Sequence, residues 1–113
     1  MPADANANGD IFGGWILSQM DLSGGARAYE YCDGRVVTVG IEAMTFYKPV
    51  FIGDEVSFYT DVVKTGRTSV TIKIESWARR RHTREYVKVT EGLFTFVHID
   101  ENRQPKVIEK KSG

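Results

Sequence analysis

The chain has a single cysteine, Cys32, in 113 residues. With no second cysteine an internal disulfide is excluded, and the disulfide-stapled scaffolds of small secreted domains go with it. The expected setting is reducing and cytoplasmic, with Cys32 a small buried hydrophobe. Proline is scarce at three residues, and there is no linker, repeat or low-complexity tract. One domain spanning residues 1–113 is the natural division. Histidine is scarcer still. His82 and His98 stand sixteen positions apart with no H-x-x-x-H or Cys-His spacing, which argues against a metal site. Charge of one sign is lacking too, since fifteen basic residues balance fifteen acidic ones. That balance argues against a dedicated nucleic-acid binder. No apolar run approaches the roughly 20 residues of a membrane span, and the first residues carry no apolar signal-peptide core. A G-x-S-x-G elbow and a G-x-x-x-x-G-K-[ST] phosphate loop are both missing, so neither a hydrolase of the nucleophile-elbow type nor a phosphate-loop enzyme is indicated.

What is present is one helical pattern followed by strands. Residues 13–31 show helical spacing, with Trp15, Ile16, Met20, Ala26 and Tyr29 towards one side and Leu17 widening the stripe. Gly24-Gly25 inside that pattern costs about 1 kcal/mol per glycine relative to alanine, so a close packing neighbour, such as another backbone, is expected there. Cys32-Asp33-Gly34 supplies the stop. Beyond it, Arg35 to Thr45 is rich in β-branched residues, and Lys48-Pro49 interrupts. Glu55 to Lys64 alternates, with Val56, Phe58 and Val62 on one face. Val70, Ile72 and Ile74 continue after a Thr65-Gly66-Arg67 turn. The segment 79–85, containing Arg79-Arg80-Arg81, reads as a solvated hairpin tip. Tyr86 to Ile99 forms the last strand, with Val87, Val89, Leu93, Thr95 and Val97 sharing one parity. Tight turns imply antiparallel pairing. One helix of about 28 Å, at about 1.5 Å per residue, matches strands of that length. The expected architecture is α+β, a curved antiparallel sheet wrapped around one long helix. Edge strands and modest size favour pairing with a second copy.

The richest chemistry lies at the start of the helical pattern. Asn6 to Trp15 reads N-A-N-G-D-I-F-G-G-W. Two readings of Asp10 fit its spacing: an N-cap accepting from a helix N–H, or an acid held beside unpaired backbone donors. Gly13-Gly14 opens the helix, where those donors and a partial positive charge can face an oxyanion. A ligand-free flexible turn is the alternative. Asn6 and Asn8 either contact a substrate carbonyl, orient Asp10, or serve the turn. Asp21, farther along the helix, is a second acid or a structural hydrogen-bond partner.

Three blocks, PADANANGDIFGGWILSQMD (2–21), GRVVTVGIEAMTFYKPVFIGDEV (34–56) and KTGRTSVTIKIESW (64–77), resemble the bacterial YciA-type acyl-CoA thioesterases. The resemblance implies the hotdog fold, with the first strand of that family, which precedes the Pro-Ala-Asp segment, missing or trimmed. It implies Asp10 as the catalytic acid, acting as general base or as nucleophile. Gly14 would supply the oxyanion donor, with Asn6 as a further catalytic candidate. Gly13, Lys48, Arg67 and Ser69 are the candidates for binding coenzyme A, whose phosphates call for basic groups. Coenzyme A would be part of substrate and product, with no other cofactor required. The architecture predicts a dimer at minimum, with the site at the subunit boundary, and the resemblance implies a trimer of dimers. From charge balance and the lack of a long apolar run, neither nucleic acid nor membrane is expected as a partner. Two other functions compete with hydrolysis. A hotdog hydratase would need a histidine beside a carboxylate, and neither His82 nor His98 is near Asp10 in sequence. A non-catalytic dimeric acyl-CoA binding or regulatory module would use the same fold without turnover.

Overall fold

Alternating apolar residues in the long segments leave the sheet with one face to bury, and a helix covers the middle of that face. The computed structural model describes residues 10–11 and 13–109. The elements run β1 (Asp10–Ile11), α1 (Gly13–Cys32), β2 (Val36–Phe46), β3 (Val50–Phe51), β4 (Glu55–Thr65), β5 (Ser69–Arg79) and β6 (Tyr86–His98). The long strands form one antiparallel sheet in the order β2-β6-β5-β4. β1 and β3 form a separate antiparallel ribbon of two residues each. This is the expected α+β arrangement of a helix held by a curved sheet, the hotdog layout. Consecutive hairpins join β4, β5 and β6, whereas β2 crosses to pair with β6 at the far edge.

The core lies between α1 and the inner face of β5 and β6. Val70, Ile72, Ile74 and Ala78 of β5, and Phe94 and Phe96 of β6, are almost fully buried. Val56, Phe58 and Val62 of β4 pack against them. The helix contributes Ile16, Met20, Gly24, Ala28 and Cys32, a strict four-residue spacing. Ile16 and Met20 lie where the spacing places them, but Ala26 and Tyr29 face outward, Tyr29 being 59% exposed. The reason is Gly24. A Cβ there would lie 2.4 Å from Ile74 Cδ1 and 3.0 Å from Phe96 Cζ. The helix therefore approaches the sheet most closely along the line through residue 24, and its neighbours there are side chains, not another backbone. Gly25 meets only an ordinary contact, Phe96 Cε1 at 3.7 Å.

The last strand also departs from its sequence pattern. Leu93, Thr95 and Val97 lie on the outer face, and Gly92, Phe94, Phe96 and His98 point inward. A register shift opposite Ser76 and Trp77 inserts an extra residue between Lys88 and Thr90. That β-bulge buries both Val89 and Thr90 and switches the parity beyond them. The helix ends as the turn residues predict, though by different roles. Asp33 takes the left-handed conformation at φ 57, and Gly34 N–H donates to Tyr29 C=O at 3.2 Å, the long bond of a Schellman motif. Gly34 itself is needed because a Cβ there would lie 2.5 Å from His98 Nε2.

Candidate active site

The N-terminus of α1 opens onto a cleft of about 290 Å³. Gly13 and Ile16 form its helix side, Phe46, Tyr47, Lys48, Pro49 and Val50 its rim, and Val89 and Thr90 its floor. The rim is placed by the β-bulge carbonyl, since Val89 C=O accepts from both Tyr47 N–H at 2.7 Å and Lys48 N–H at 3.3 Å. Gly13 packs against the Phe46 ring, where a Cβ would come within 3.2 Å of Cε1. Gly14 is exposed, and a Cβ there would meet no described heavy atom within 4 Å. Among the described residues nothing covers the Gly14 side of this helix start, where the first-turn N–H groups have no partner within the helix.

Asp10 is a strand residue of β1, directly opposite Phe51, with Ile11 opposite Val50. Since Val50 lines the cleft, the Ile11–Val50 pair of the ribbon adjoins it, and Asp10 is the neighbouring residue of the same strand. Asp10 stands three positions before the first helical residue, whereas an N-cap adjoins the helix. Asn6 and Asn8 lie outside the described residues.

Arg67 and Ser69 belong to a different place. They flank the β4–β5 turn, where Gly66 N–H donates to Ser69 C=O at 2.8 Å and Ile108 N–H to Arg67 C=O at 2.7 Å. Arg67 lines a second cleft of about 640 Å³ with Tyr31, Thr65, Val107 and Ile108. Tyr31 follows Gly13 by 18 positions, about 27 Å along the helix at about 1.5 Å per residue. Within one protomer, then, β1, Gly13 and Lys48 are brought together, and Arg67 and Ser69 sit a helix length away.

Asp21 accepts a hydrogen bond from Thr38 Oγ1 at 2.7 Å, tying α1 to β2 in the manner of its structural reading. His82 is exposed in the β5–β6 turn, and His98 is buried beside Gly34 at the far end of the helix. Neither reaches the cleft. Among the described residues no cluster of three His, Cys, Asp or Glu side chains is placed to hold a metal, and no helix is long and apolar enough to cross a membrane.

Sequence patterns missed two features. Thr90 is fully buried at the cleft floor, and its Oγ1 has no hydrogen-bond partner among the described residues. Its burial follows from the bulge, which alternation does not reveal. Arg80 is no solvated turn charge. Its Nη1 lies 2.6 Å from Asp54 Oδ2, with the two side chains only 13% and 3% exposed. The only hint in sequence was the density of the Arg79-Arg80-Arg81 run, and the partner lies 26 positions away.

Comparison with known proteins identifies the family. The thioesterase superfamily model matches residues 8–84. The acyl-CoA thioester hydrolase YciA of Escherichia coli strain K12 is 49% identical over 111 residues, covering 96% of this chain and 84% of that protein. The crystal structure of the hexameric thioesterase y2039 from Yersinia pestis superposes with a TM-score of 0.92 at 47% identity, covering 97% of this chain and 90% of that one. That of HI0827, a hexameric broad-specificity acyl-coenzyme A thioesterase, gives 0.89 at 47% identity, with coverage of 98% and 77%. The chain belongs to the YciA-type acyl-CoA thioester hydrolases of the thioesterase superfamily.

Proposed function

We propose that residues 1–113 act as one hotdog domain that hydrolyses acyl-CoA thioesters to a free carboxylic acid and coenzyme A. The observation that carries this reading is the cleft at the N-terminus of α1, lined by Gly13, with the Asp10 strand paired beside it and Gly14 open among the described residues. The thioester carbonyl binds with its oxygen towards the helix start. The N–H groups of Gly13 and Gly14 then hold the oxyanion that forms on attack. Asp10 either takes a proton from the attacking water or attacks the carbonyl carbon to form a mixed anhydride that water opens. In both routes the C–S bond breaks, the thiolate leaves as coenzyme A, and the carboxylic acid remains. Asn6 holds the substrate carbonyl or orients Asp10. Coenzyme A belongs to substrate and product, and no further cofactor takes part.

The assembly we propose is a dimer at minimum, built into a trimer of dimers. Support comes from edge strand β2 and the helix face beside it, where Val39, Leu22 and Tyr29 are 58%, 65% and 59% exposed, and from the hexameric relatives. A partner's Arg67–Ser69 turn would supply the basic end for coenzyme A that the helix length keeps away from the cleft within one protomer, with Lys48 contributing from the cleft rim. The single buried cysteine fits a cytoplasmic setting.

Release of free thiol from short, long and aromatic acyl-CoAs tests the reading. Asp10→Asn is expected to lower kcat by about 10²–10⁴-fold with an unchanged thermal transition. Near-normal turnover in a folded Asp10→Asn protein would remove the catalytic assignment.

A further inference from the structure

The ribbon that carries Asp10 is very short. β1 has two residues, and among the described strands it pairs only with β3. β3 is thus the described strand that holds the backbone of Asp10. β3 is followed by a tight turn in which Asp54 N–H donates to Phe51 C=O at 3.0 Å. Gly53 sits at φ +99, a conformation suited to glycine. Asp54 Oδ2 closes the turn by accepting from Phe51 N–H at 2.8 Å.

The β5–β6 hairpin grips this turn from outside. Arg80 Nη1 donates to the same Asp54 Oδ2 at 2.6 Å and to Pro49 C=O at 2.9 Å. Its guanidinium lies 4.7 Å from the centre of the Phe51 ring. Arg81 packs over the turn, close enough that a Cβ on Gly53 would sit 2.8 Å from its Cδ. One planar cation thus holds the residues before, within and after β3, a set of contacts an ammonium cannot reproduce.

We propose that Arg80 and Asp54 are positioning residues for the catalytic acid, clamping β3 so that β1 presents Asp10 to the cleft. This rests on the catalytic reading of Asp10. Arg80 touches no reacting atom in this scheme. Its effect passes through Phe51 to the residue paired with it. Small displacements of a reacting group are costly, about 10²-fold for about 1 Å, and a two-residue ribbon has few ladder hydrogen bonds of its own to resist them.

The test is a double-mutant cycle on the full-length oligomer, assayed by thiol release from one acyl-CoA. Arg80→Met in the wild-type background is expected to lower kcat about 10–100-fold, with KM changed by less than about threefold. Arg80→Lys, which keeps the charge near Asp54 but loses the fork and the ring contact, falls between them. In an Asp10→Asn background, Arg80→Met should change the residual turnover by less than about threefold, because the group it positions is already disabled. An unchanged kcat in Arg80→Met overturns the proposal, and so does an equal loss in both backgrounds. Should Arg80→Met fail to fold, Arg80→Lys and Asp54→Asn are judged by the same two criteria. If Asp10→Asn itself retains wild-type turnover, the catalytic reading of Asp10 falls and takes the positioning role with it. A dead Asp10→Asn beside a fully active Arg80→Met overturns the positioning role alone.

Discussion

At the scale of single residues, the cleft floor carries the least typical environment. Thr90 is fully buried beside Ser76, which faces it across the sheet, and its hydroxyl has no partner among the described residues. An unsatisfied buried hydroxyl costs about 1–3 kcal/mol, and an apolar group of the same shape removes that cost. Thr90→Val is therefore expected to stabilise the ligand-free protein by about 1 kcal/mol, read as a higher denaturation midpoint with the same denaturant slope. A lower midpoint would mean that the hydroxyl is satisfied in solution. Asp10 was legible at this scale as an acid three residues before a glycine pair. Its cap reading and its catalytic reading differ only in backbone placement, which local spacing leaves open. Arg80 was not legible, because a side chain's burial depends on a partner far away in sequence.

At the scale of elements, the helix shows how tertiary approach overrides pattern. Its apolar residues permit a stripe through Tyr29, yet the helix turns so that Gly24 meets Ile74 and Phe96. Gly24→Val should cost about 3 kcal/mol, the upper end for overpacking, since both neighbours are fully buried and cannot withdraw. Gly25→Ala, with its nearest neighbour at 3.7 Å, should gain up to about 1 kcal/mol from helix propensity. Urea midpoints of the two variants measure the contrast, and equal losses would show that the helix seats differently. β6 is the second case. Its outer residues, Leu93, Thr95 and Val97, alternate as well as its inner ones do. Only the bulge beside Val89 decides which set is buried.

At the scale of the whole molecule, the outer sheet face carries a charge network that spans β5 and β6. Glu75 accepts from Trp77 Nε1 at 2.9 Å and lies 3.5 Å from Lys73 Nζ and 3.6 Å from Lys88 Nζ. Glu91 pairs with Lys88. The Trp77 hydrogen bond, followed by the two lysines, holds the Glu75 carboxyl below its ordinary 4.5. Lys88 and then Tyr47 lower that of Glu91. In both cases partial burial opposes the shift and is outweighed. Carboxyls whose folded pKa is depressed contribute stability that is present above the unfolded value and is lost as pH falls through the folded one. The thermal transition should therefore drop as the pH falls below the ordinary carboxyl value of 4.5, and more shallowly in a Glu75→Gln/Glu91→Gln variant. Parallel slopes for the two proteins would exclude this network as a source of acid lability.

The sequence by itself determined the helix, the four long strands, their antiparallel pairing and the family. Each of these rests on patterns a few residues long or on blocks of contiguous identity. It also marked Gly13 and Lys48, which line one cleft, and Asp10, whose strand pairs with the strand beside it. The tertiary structure decided the rest. It chose the buried face of β6 through a bulge, and the helix rotation through the closest approach at Gly24. It made a ribbon of β1 and β3, which are about 40 residues apart and too short to stand without partners. It joined Arg80 to Asp54 across two strands and set Arg67 a helix length from Gly13. These depend on which distant segments meet, and contacts between distant segments leave no local trace in composition or period.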